Sequence, residues 1–120
     1  MLINGRKFDI RVWVLLNQDA RVYFFREGYL RTSSETYSTG KDTLDNLYIH
    51  LTNNAVQKYN KSYSKHEAGN QLSFQHLRNL LTGLGISYDT VIGTLHRQLR
   101  QHKGHYQTYH AKCSQETEQT

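Results

Sequence analysis

The sequence predicts an α+β domain in which an antiparallel strand meander precedes helices and a polar C-terminal tail. Near the N-terminus, charged and apolar side chains alternate at the two-residue period of a β-strand. Residues 73–103 instead carry apolar side chains at the three- and four-residue spacing of amphipathic helices. Residues 104–120 are polar and follow neither period, so we expect a disordered tail there. The folded domain is expected to span residues 1–103.

The first strand is predicted to run from Arg6 to Leu16. One of its faces is apolar and is expected to be core; it carries Phe8, Ile10, Val12, Val14 and Leu16. The other face begins with the ionised side chains of Lys7, Asp9 and Arg11 and then turns apolar. Two interpretations stay open: a strand that floors a pocket, or a solvated strand end where Asp9 pairs with its neighbours for little net energy.

Two further strands complete the predicted meander. Arg21–Arg26 is expected to form a hairpin with the first strand, across the polar break at residues 17–20. Tyr29–Thr32 is expected to follow a turn at Gly28, which is free to adopt a positive φ. The next segments are predicted to be a loop (32–41), a helical turn (42–47), a short strand (48–52), the start of a helix (55–59) and a polar linker (60–70).

Two amphipathic helices are predicted after residue 72. Ser73 can cap the first helix and Asp89 the second, because their side-chain oxygens can accept hydrogen bonds from first-turn amides. Gly83 and Gly85 should end the first helix and Gly104 the second. Both helices are apolar on one side only and must dock on other elements; the stripes are Phe74, Leu77, Leu80, Leu81 and Leu84, and then Val91, Ile92, Leu95 and Leu99.

The composition indicates which cellular compartment and which kind of binding partner to expect. The formal net charge is +5, which favours an anionic partner such as a nucleotide, a nucleic acid or an acidic protein tail. Cys113 is the single cysteine, so no intramolecular disulfide can form and a reducing, cytosolic compartment is expected. No run approaches the ~20 apolar residues that a membrane span needs, and no signal peptide precedes Arg6.

Two groups of side chains in the first half of the chain could bind a phosphorylated ligand. The first consists of cations near predicted strand ends: Lys7, Arg11, Arg26 and Arg31. Such groups stabilise phosphate oxygens when they are fixed and shielded from water, although they could equally belong to a basic surface. The second is His50, Thr52 and Asn53, with Leu51 expected to point inward. It could bind a ribose or a phosphate, or be a strand end with an Asx turn.

Two other patterns in the sequence are typical of different ligands, a zinc ion and a single-stranded nucleic acid. His102, His105, His110 and Cys113 resemble a zinc ligand set, but their spacing is not standard and no core residues flank them, so no metal site is predicted. Basic residues also interleave with aromatic ones, which would suit a single-stranded nucleic-acid surface; the aromatic residues are Tyr59, Tyr63, Tyr106 and Tyr109. No specific RNA-binding signature accompanies them. A small basic nucleic-acid-binding module therefore remains the alternative.

Three stretches resemble the tubulin tyrosine ligase and tubulin tyrosine ligase-like family. They are GRKFDIRVWVL at Gly5–Leu15, REGYLRTSSE at Arg26–Glu35, and HLTN at His50–Asn53 with Gln57-Lys58 after it. Their order and spacing are also similar, and the resemblance covers roughly residues 3–100. It implies part of an ATP-grasp domain, in which ATP lies between two α+β subdomains. It also implies a ligase that phosphorylates a carboxylate on the acidic tail of tubulin, so that the amine of an amino acid can attack the acyl phosphate.

The resemblance also implies roles for individual residues. Contacts to ATP would come from Lys7, Asp9, Thr52 and Asn53. Arg31 would lie near the transferred phosphate or the incoming amino acid, with Arg11 supporting it, so these two arginines are the catalytic candidates. Lys58 is a further candidate for binding the amino acid, beside Arg31.

Two departures from the family pattern bear on activity. The upstream ATP-grasp subdomain, with further nucleotide-binding lysines, does not precede Met1. The Asp and the Glu-x-Asn motif that hold magnesium in the family do not follow Gln107. We therefore expect ATP and magnesium to serve a longer parent protein, with no metal ligands in this chain. The isolated chain is expected to be inactive, because losing one fixed electrostatic contact can cost about a hundredfold in rate.

The amino acid added is the least determined feature. Arg26–Tyr37 is most similar to the tyrosine ligase, which favours tyrosine. Ile49–Lys58 is more similar to glycine-adding relatives, and glutamate-adding relatives share the same framework. The expected partners are the acidic tubulin tail and one of these free amino acids, with no membrane and no nucleic acid. The expected location is the cytoplasm, at microtubules or cilia.

Overall fold

The computed structural model describes residues 1–19 and 21–101. It is an α+β structure in which antiparallel strands precede the longer helices. The strands are β1 (Arg6–Arg11), β2 (Val14–Leu16), β3 (Val22–Phe24), β4 (Tyr29–Thr36) and β5 (Gln71–Ser73). The helices are α1 (Leu47–His50), α2 (Asn54–Gln57), α3 (Phe74–Gly83) and α4 (Tyr88–Gln101), with 3₁₀ turns at Lys41–Thr43 and Ala68–Asn70. The predicted fold class is thereby confirmed, whereas the two-subdomain ATP-grasp arrangement stays a prediction.

The chain divides into two compact units. The first comprises Met1–Val12 and Glu27–Asn79, and the second comprises Trp13–Arg26 and Leu80–Thr120, of which residues 80–101 are described along with 13–19 and 21–26. The first unit holds a three-stranded antiparallel sheet in the order β1-β4-β5. The second unit holds the β2–β3 hairpin and α4.

The predicted first strand is two strands in the structure. β1 pairs with β4, whereas β2 pairs with β3, so the hairpin with Arg21–Arg26 is confirmed only for the second half of the predicted strand. The expectation of one continuous core face is wrong, because Phe8 and Ile10 are only half-buried and Val14 is exposed. The chain changes partner at Val12 and Trp13, and a change of partner cannot be read from side-chain alternation alone.

The centre of the first unit is β4, which has hydrogen-bonded neighbours on both sides. The buried apolar side chains of this unit are Ile3, Leu30, Ile49, Phe74 and Leu77, and Leu30 belongs to β4 itself. A larger set of polar side chains is buried as well; it consists of Arg6, Thr32, Ser33, Ser34, Thr52, Gln57 and Asn70. Buried polar groups are tolerated only when they are hydrogen-bonded, so this unit depends on a polar network as well as on apolar packing.

Several local predictions in the first unit are wrong. β4 continues to Thr36, through part of the predicted loop, because β1 pairs with it as far as Thr36 and the Gln57 side chain accepts a hydrogen bond from Ser34 N, whereas β5 pairs only with residues 29–31. The predicted strand at residues 48–52 is instead the helical turn α1, capped by Asn46, whose side chain accepts a hydrogen bond from Tyr48 N at 3.0 Å. The predicted linker at 60–70 contains buried Asn70, and β5 follows it.

Gly28 is required for a different reason from the one predicted. Its φ is not positive. A Cβ at this position would lie 2.4 Å from the carbonyl oxygen of Arg11 and 2.6 Å from Cζ of Phe74. The glycine therefore permits close approach of backbone and ring.

The two longer helices largely follow the sequence pattern. Ser73 Oγ accepts a hydrogen bond from His76 N at 3.3 Å, which confirms the predicted cap of α3. Gly85 has a φ of 70°, and Ile86 N donates to Leu81 O at 2.9 Å, which is the hydrogen-bonding pattern of a Schellman ending. Two further expectations for these helices fail. Leu84, which follows the last residue of α3, is 58% exposed, and the side-chain oxygen that accepts from a first-turn amide of α4 (Thr90 N, 3.3 Å) is Ser87 Oγ, with Asp89 lying inside the first turn.

Several sequence predictions lie outside the described residues. They are Gly104 as a helix end, the tail at 104–120, and the set of His102, His105, His110 and Cys113. Within residues 1–19 and 21–101, no helix is long and apolar enough to cross a membrane.

Candidate functional site

The pairing of β1 with β4 places Asp9 directly opposite Arg31. Side chains of directly opposed residues in an antiparallel pair lie on the same face of the sheet, within reach of each other. The residues that flank Arg31 and Asp9 along each strand point to the opposite face. The register thus creates an Asp–Arg pair that no local sequence pattern would require.

Two of the three guanidinium nitrogens of Arg31 donate hydrogen bonds to the Asp9 carboxylate. Arg31 Nε donates to Asp9 Oδ1 at 2.8 Å, and Nη2 donates to Oδ2 in a short contact. The hydrogen bond to Asp9 raises the pKa of Arg31 above its ordinary value. The remaining nitrogen, Nη1, donates to no partner among the described residues, and the side chain is 16% exposed. An oriented guanidinium with one uncommitted edge suits binding of a phosphate or carboxylate.

Thr52 completes the arrangement around Asp9. The hydroxyl of this 6% exposed residue donates to Asp9 Oδ2 at 2.7 Å. Partial burial by itself would raise the pKa of Asp9, but the hydrogen bonds from Arg31 and Thr52 and the positive charges of Arg31 and Arg11 outweigh it and lower the pKa. Asp9 is therefore an ionised carboxylate that accepts hydrogen bonds from both Arg31 and Thr52.

Lys7 is held beside this group by the backbone that precedes Thr52. Its Nζ donates to the carbonyl oxygen of His50 at 2.7 Å. His50 itself is oriented by two neighbours: its Nε2 lies 3.0 Å from the carbonyl oxygen of Thr43, and its ring meets that of Tyr37 edge-on at 5.9 Å. The segment from His50 to Thr52 thus contacts β1 twice, once through Lys7 and once through Asp9.

Among the remaining candidates, Arg11, Asn53 and Lys58 belong to the first unit but form no hydrogen bond with Asp9, Arg31 or Thr52 in the described part of the chain. Arg11 is exposed and acts on Asp9 through its charge alone. Asn53 is exposed, and its side chain does not cap α2. Lys58 is exposed and lies over the ring of Tyr59, with Nζ 5.0 Å from the centroid. Arg26 is exposed and belongs to the second unit.

The inward direction predicted for Leu51 is wrong. Leu51 is 39% exposed, whereas Thr52 is 6% exposed. The segment is an extended connection after α1, so the polar hydroxyl can turn inward because Asp9 accepts its hydrogen bond.

Sequence reasoning missed a buried polar network on the other side of the sheet. Arg6 donates from Nη1 and Nη2 to the two carboxylate oxygens of Glu67, each at 2.8 Å, and from Nη1 to Ser33 O at 2.9 Å. Thr32 donates to Glu67 in a short contact, and Asn70 Nδ2 donates to Thr32 O at 3.1 Å. No sequence signal pointed to Glu67 or Asn70, because both lie in a stretch with the composition of a polar linker.

The residues around Arg31 fit a polyphosphate better than they fit a metal ion. Lys7, Arg11 and Arg31 supply positive charge, and Arg31 keeps a free donor edge. Within the described part of the chain, no group of three or more His, Cys, Asp or Glu side chains could hold a metal ion. The Asp9 carboxylate is already occupied by Arg31 and Thr52, so these residues do not form a magnesium site.

The chain is similar to known tubulin-modifying proteins. It is 39% identical over 83 residues, 68% of this chain, to the probable alpha-tubulin polyglutamylase Ttll1 of Tetrahymena thermophila. It is 34% identical over 97 residues, 75% of this chain, to tubulin monoglutamylase TTLL4 of Mus musculus. It is 46% identical over 63 residues, 51% of this chain, to tubulin glycylase 3B of Tetrahymena thermophila.

These matches cover 20%, 8% and 5% of the three relatives, so the chain spans a fifth or less of their length. A family model described as the tubulin-tyrosine ligase family matches residues 1–119. The match takes in nearly the whole chain, including the strands and the segment that hold Asp9, Arg31 and Thr52. The chain therefore belongs to the tubulin-tyrosine ligase family.

Proposed function

We propose that this chain is part of an ATP-dependent ligase that adds an amino acid to the acidic tail of tubulin. The observation that carries the proposal is the Arg31 guanidinium, oriented by Asp9 and with an Nη1 edge to which no residue within 1–19 and 21–101 is hydrogen-bonded. Lys7 and Arg11 add positive charge on the neighbouring strand. The similarity to tubulin glutamylases and glycylases supports the same class of reaction.

Each proposed ligand contact follows from the chemistry of the side chains. Lys7, Arg11 and Arg31 would bind the phosphate oxygens of ATP, because fixed cations in a partly shielded site stabilise phosphate charge. ATP supplies the phosphoryl group that activates the acceptor carboxylate. Asp9 and Thr52 keep the Arg31 guanidinium in one orientation, so that little rearrangement is needed when charge develops.

Glutamate is the amino acid that we propose as the donor, with glycine as the alternative. The relatives matched over 68% and 75% of this chain carry glutamylase names, whereas two relatives with glycylase names are matched over 51% and 66% of it, so the preference for glutamate rests on a small difference in coverage. The tyrosine preference suggested by Arg26–Tyr37 has no support among these relatives. We therefore no longer prefer it.

The proposed acceptor is the acidic C-terminal tail of tubulin. The net charge of +5 suits an acidic peptide, because opposite charge increases the rate of encounter. A cytoplasmic location at microtubules or cilia follows from this proposal and stays a proposal with it.

Binding of ATP to the longer parent protein tests the proposal, because the family resemblance implies that part of the ATP site lies outside this chain. Isothermal titration should give measurable affinity, and Lys7→Met and Arg31→Met should each weaken it by about tenfold or more, since a hydrogen bond to a charged group contributes about 1.5–3 kcal/mol. Arg21→Met removes an exposed arginine from the second unit and should leave the affinity unchanged.

Two outcomes would contradict the proposal. In the first, ATP binds equally well to the Lys7→Met, Arg31→Met and unmodified chains. In the second, the chain binds a single-stranded oligonucleotide in a salt-dependent way that neither variant alters, which would indicate the nucleic-acid-binding alternative.

A further inference from the structure

Gln57 is a buried amide whose hydrogen-bonding groups are all used within the first unit. It is 0% exposed although it is a glutamine at the end of a four-residue helix. Its Oε1 accepts from the backbone N–H of Ser34 at 2.9 Å. Its Nε2 donates to the carbonyl oxygens of Leu51 and of Tyr48, the latter at 3.3 Å. A fully satisfied buried amide fixes its partners, because losing any of these bonds leaves a buried polar group unpaired.

Two of the three partners of Gln57, Ser34 and Leu51, belong to segments that also carry a hydrogen-bond donor to Asp9. Ser34 lies on β4, three residues after Arg31. Leu51 immediately precedes Thr52, in the extended connection between α1 and α2. That connection is neither helix nor strand, so the Gln57 side chain supplies a hydrogen bond that its backbone would otherwise lack.

We propose that Gln57 is a positioning residue. Its amide links the segment that carries Thr52 to β4 by hydrogen bonds. The link places the Thr52 hydroxyl within hydrogen-bonding distance of the Asp9 carboxylate, which in turn orients Arg31. Gln57 forms no hydrogen bond with Asp9 or Arg31 in the described structure and acts on them through Leu51 and Thr52. The same tie holds the His50 carbonyl oxygen where Lys7 donates to it. The inference rests on the proposed function, because the group that Gln57 positions is the proposed phosphate-binding group.

The direct test measures the pKa of the Asp9 carboxyl group and needs no nucleotide. Carbon-13 NMR titration of the 120-residue chain measures the pKa of Asp9, which the hydrogen bond from Thr52 helps to lower. Thr52→Val removes that hydroxyl and should raise the pKa. Gln57→Met keeps the length of the side chain but removes all of its hydrogen bonds, and it should raise the pKa of Asp9 in the same direction.

Two controls separate positioning from general stability. Leu77→Val shortens a 0% exposed side chain in α3 and should lower the melting temperature without moving the pKa of Asp9. Gln75→Met changes an exposed glutamine and should alter neither quantity. If Gln57→Met does not fold, Gln57→Glu takes its place, since it retains an acceptor for Ser34 N but cannot donate to Leu51 when ionised.

The outcomes are distinct. A rise in the Asp9 pKa with the Gln57 variant but not with Leu77→Val supports positioning. A lowered melting temperature with an unchanged Asp9 pKa would overturn it, since Gln57 would then be structural only. ATP titration of the same variants, made in the longer parent protein, distinguishes the two proposals. Failure of the unmodified parent protein to bind ATP refutes the proposed function and leaves the NMR result to decide the role of Gln57. With ATP binding intact, Gln57→Met should weaken it several-fold while Gln75→Met does not.

Discussion

Arg6 and Glu67 form an ion pair within the first unit, in which two guanidinium nitrogens each lie 2.8 Å from a carboxylate oxygen. The Arg6 side chain is 2% exposed and the Glu67 side chain 10%. Thr32, which joins this pair, is the neighbour of Arg31 on β4. Successive side chains of a strand point to opposite faces, so the ion pair and the Asp9–Arg31 pair hold β4 from its two sides.

Removing the Glu67 charge should be strongly destabilising. Glu67→Gln leaves the buried Arg6 guanidinium without a counter-ion, and breaking a buried pair in this way costs about 3–5 kcal/mol. Urea unfolding of the chain measures the loss. Glu27→Gln, at an exposed position in the same unit, is the matched control and should change the free energy of unfolding by less than about 0.5 kcal/mol. A comparable small loss in both variants would show that Arg6 is reached by solvent.

Stability should fall as the pH is lowered through the acidic range. Burial acts to raise the pKa of Glu67, but the hydrogen bonds from Arg6 and Thr32 and the positive charges of Arg6 and His66 lower it overall. A carboxylate with a lowered folded-state pKa stabilises the fold above its unfolded value, about 4.3 for Glu. That contribution is lost as the pH falls through the folded-state pKa. Asp9 acts in the same direction.

Urea unfolding at a series of pH values from neutral downward measures this dependence. The contribution of these two carboxyl groups to the free energy of unfolding should be constant near neutral pH and should decrease below about pH 4. Glu67→Gln should descend less steeply, because one of the linked protonations is gone. An identical slope for both chains would mean that Glu67 has an ordinary pKa in the folded state.

Asp9→Asn should weaken ATP binding, although it removes a negative charge from a site proposed to bind phosphates. The amide can accept with one oxygen only, so Arg31 loses its bidentate partner and its fixed orientation. Isothermal titration should show a loss of about tenfold. Asp45→Asn removes an exposed carboxylate from the same unit and controls for net charge. Tighter binding by Asp9→Asn would indicate that its charge matters more than its alignment of Arg31.

Gly28→Ala should destabilise the first unit by steric overlap. The added Cβ would lie 2.4 Å from a backbone oxygen of Arg11, and backbone cannot give way as a flexible side chain can. Overpacking of this kind costs about 1–3 kcal/mol. Gly93→Ala is the opposite case: it lies in α4 with nothing within 4 Å of the added Cβ, and it should stabilise by about 0.4–1 kcal/mol. Thermal unfolding should therefore move in opposite directions for the two variants.

Several residues of the candidate site could be selected from the sequence, but their geometry could not be predicted. The alternation at Lys7 and Asp9 and the motifs around Arg31 and Thr52 selected residues that the structure links by hydrogen bonds. Asn53 and Lys58 carry suitable chemistry, but both are exposed and neither is hydrogen-bonded to that group within the described residues. Local pattern reports the chemistry of a side chain, and strand register decides which side chains meet.

The sequence by itself determined the α+β class, the two amphipathic helices with the Ser73 cap and the Gly85 ending, and the family resemblance. These features depend on local periodicity, capping and short motifs, which neighbouring residues settle among themselves. Tertiary structure alone decided the division of the first strand between β4 and β3, the burial of Arg6 against Glu67, and the tie from Gln57 to Leu51. Each of these depends on hydrogen-bond partners that folding brings together from separate segments, because a buried polar group must find its partner wherever the chain places one.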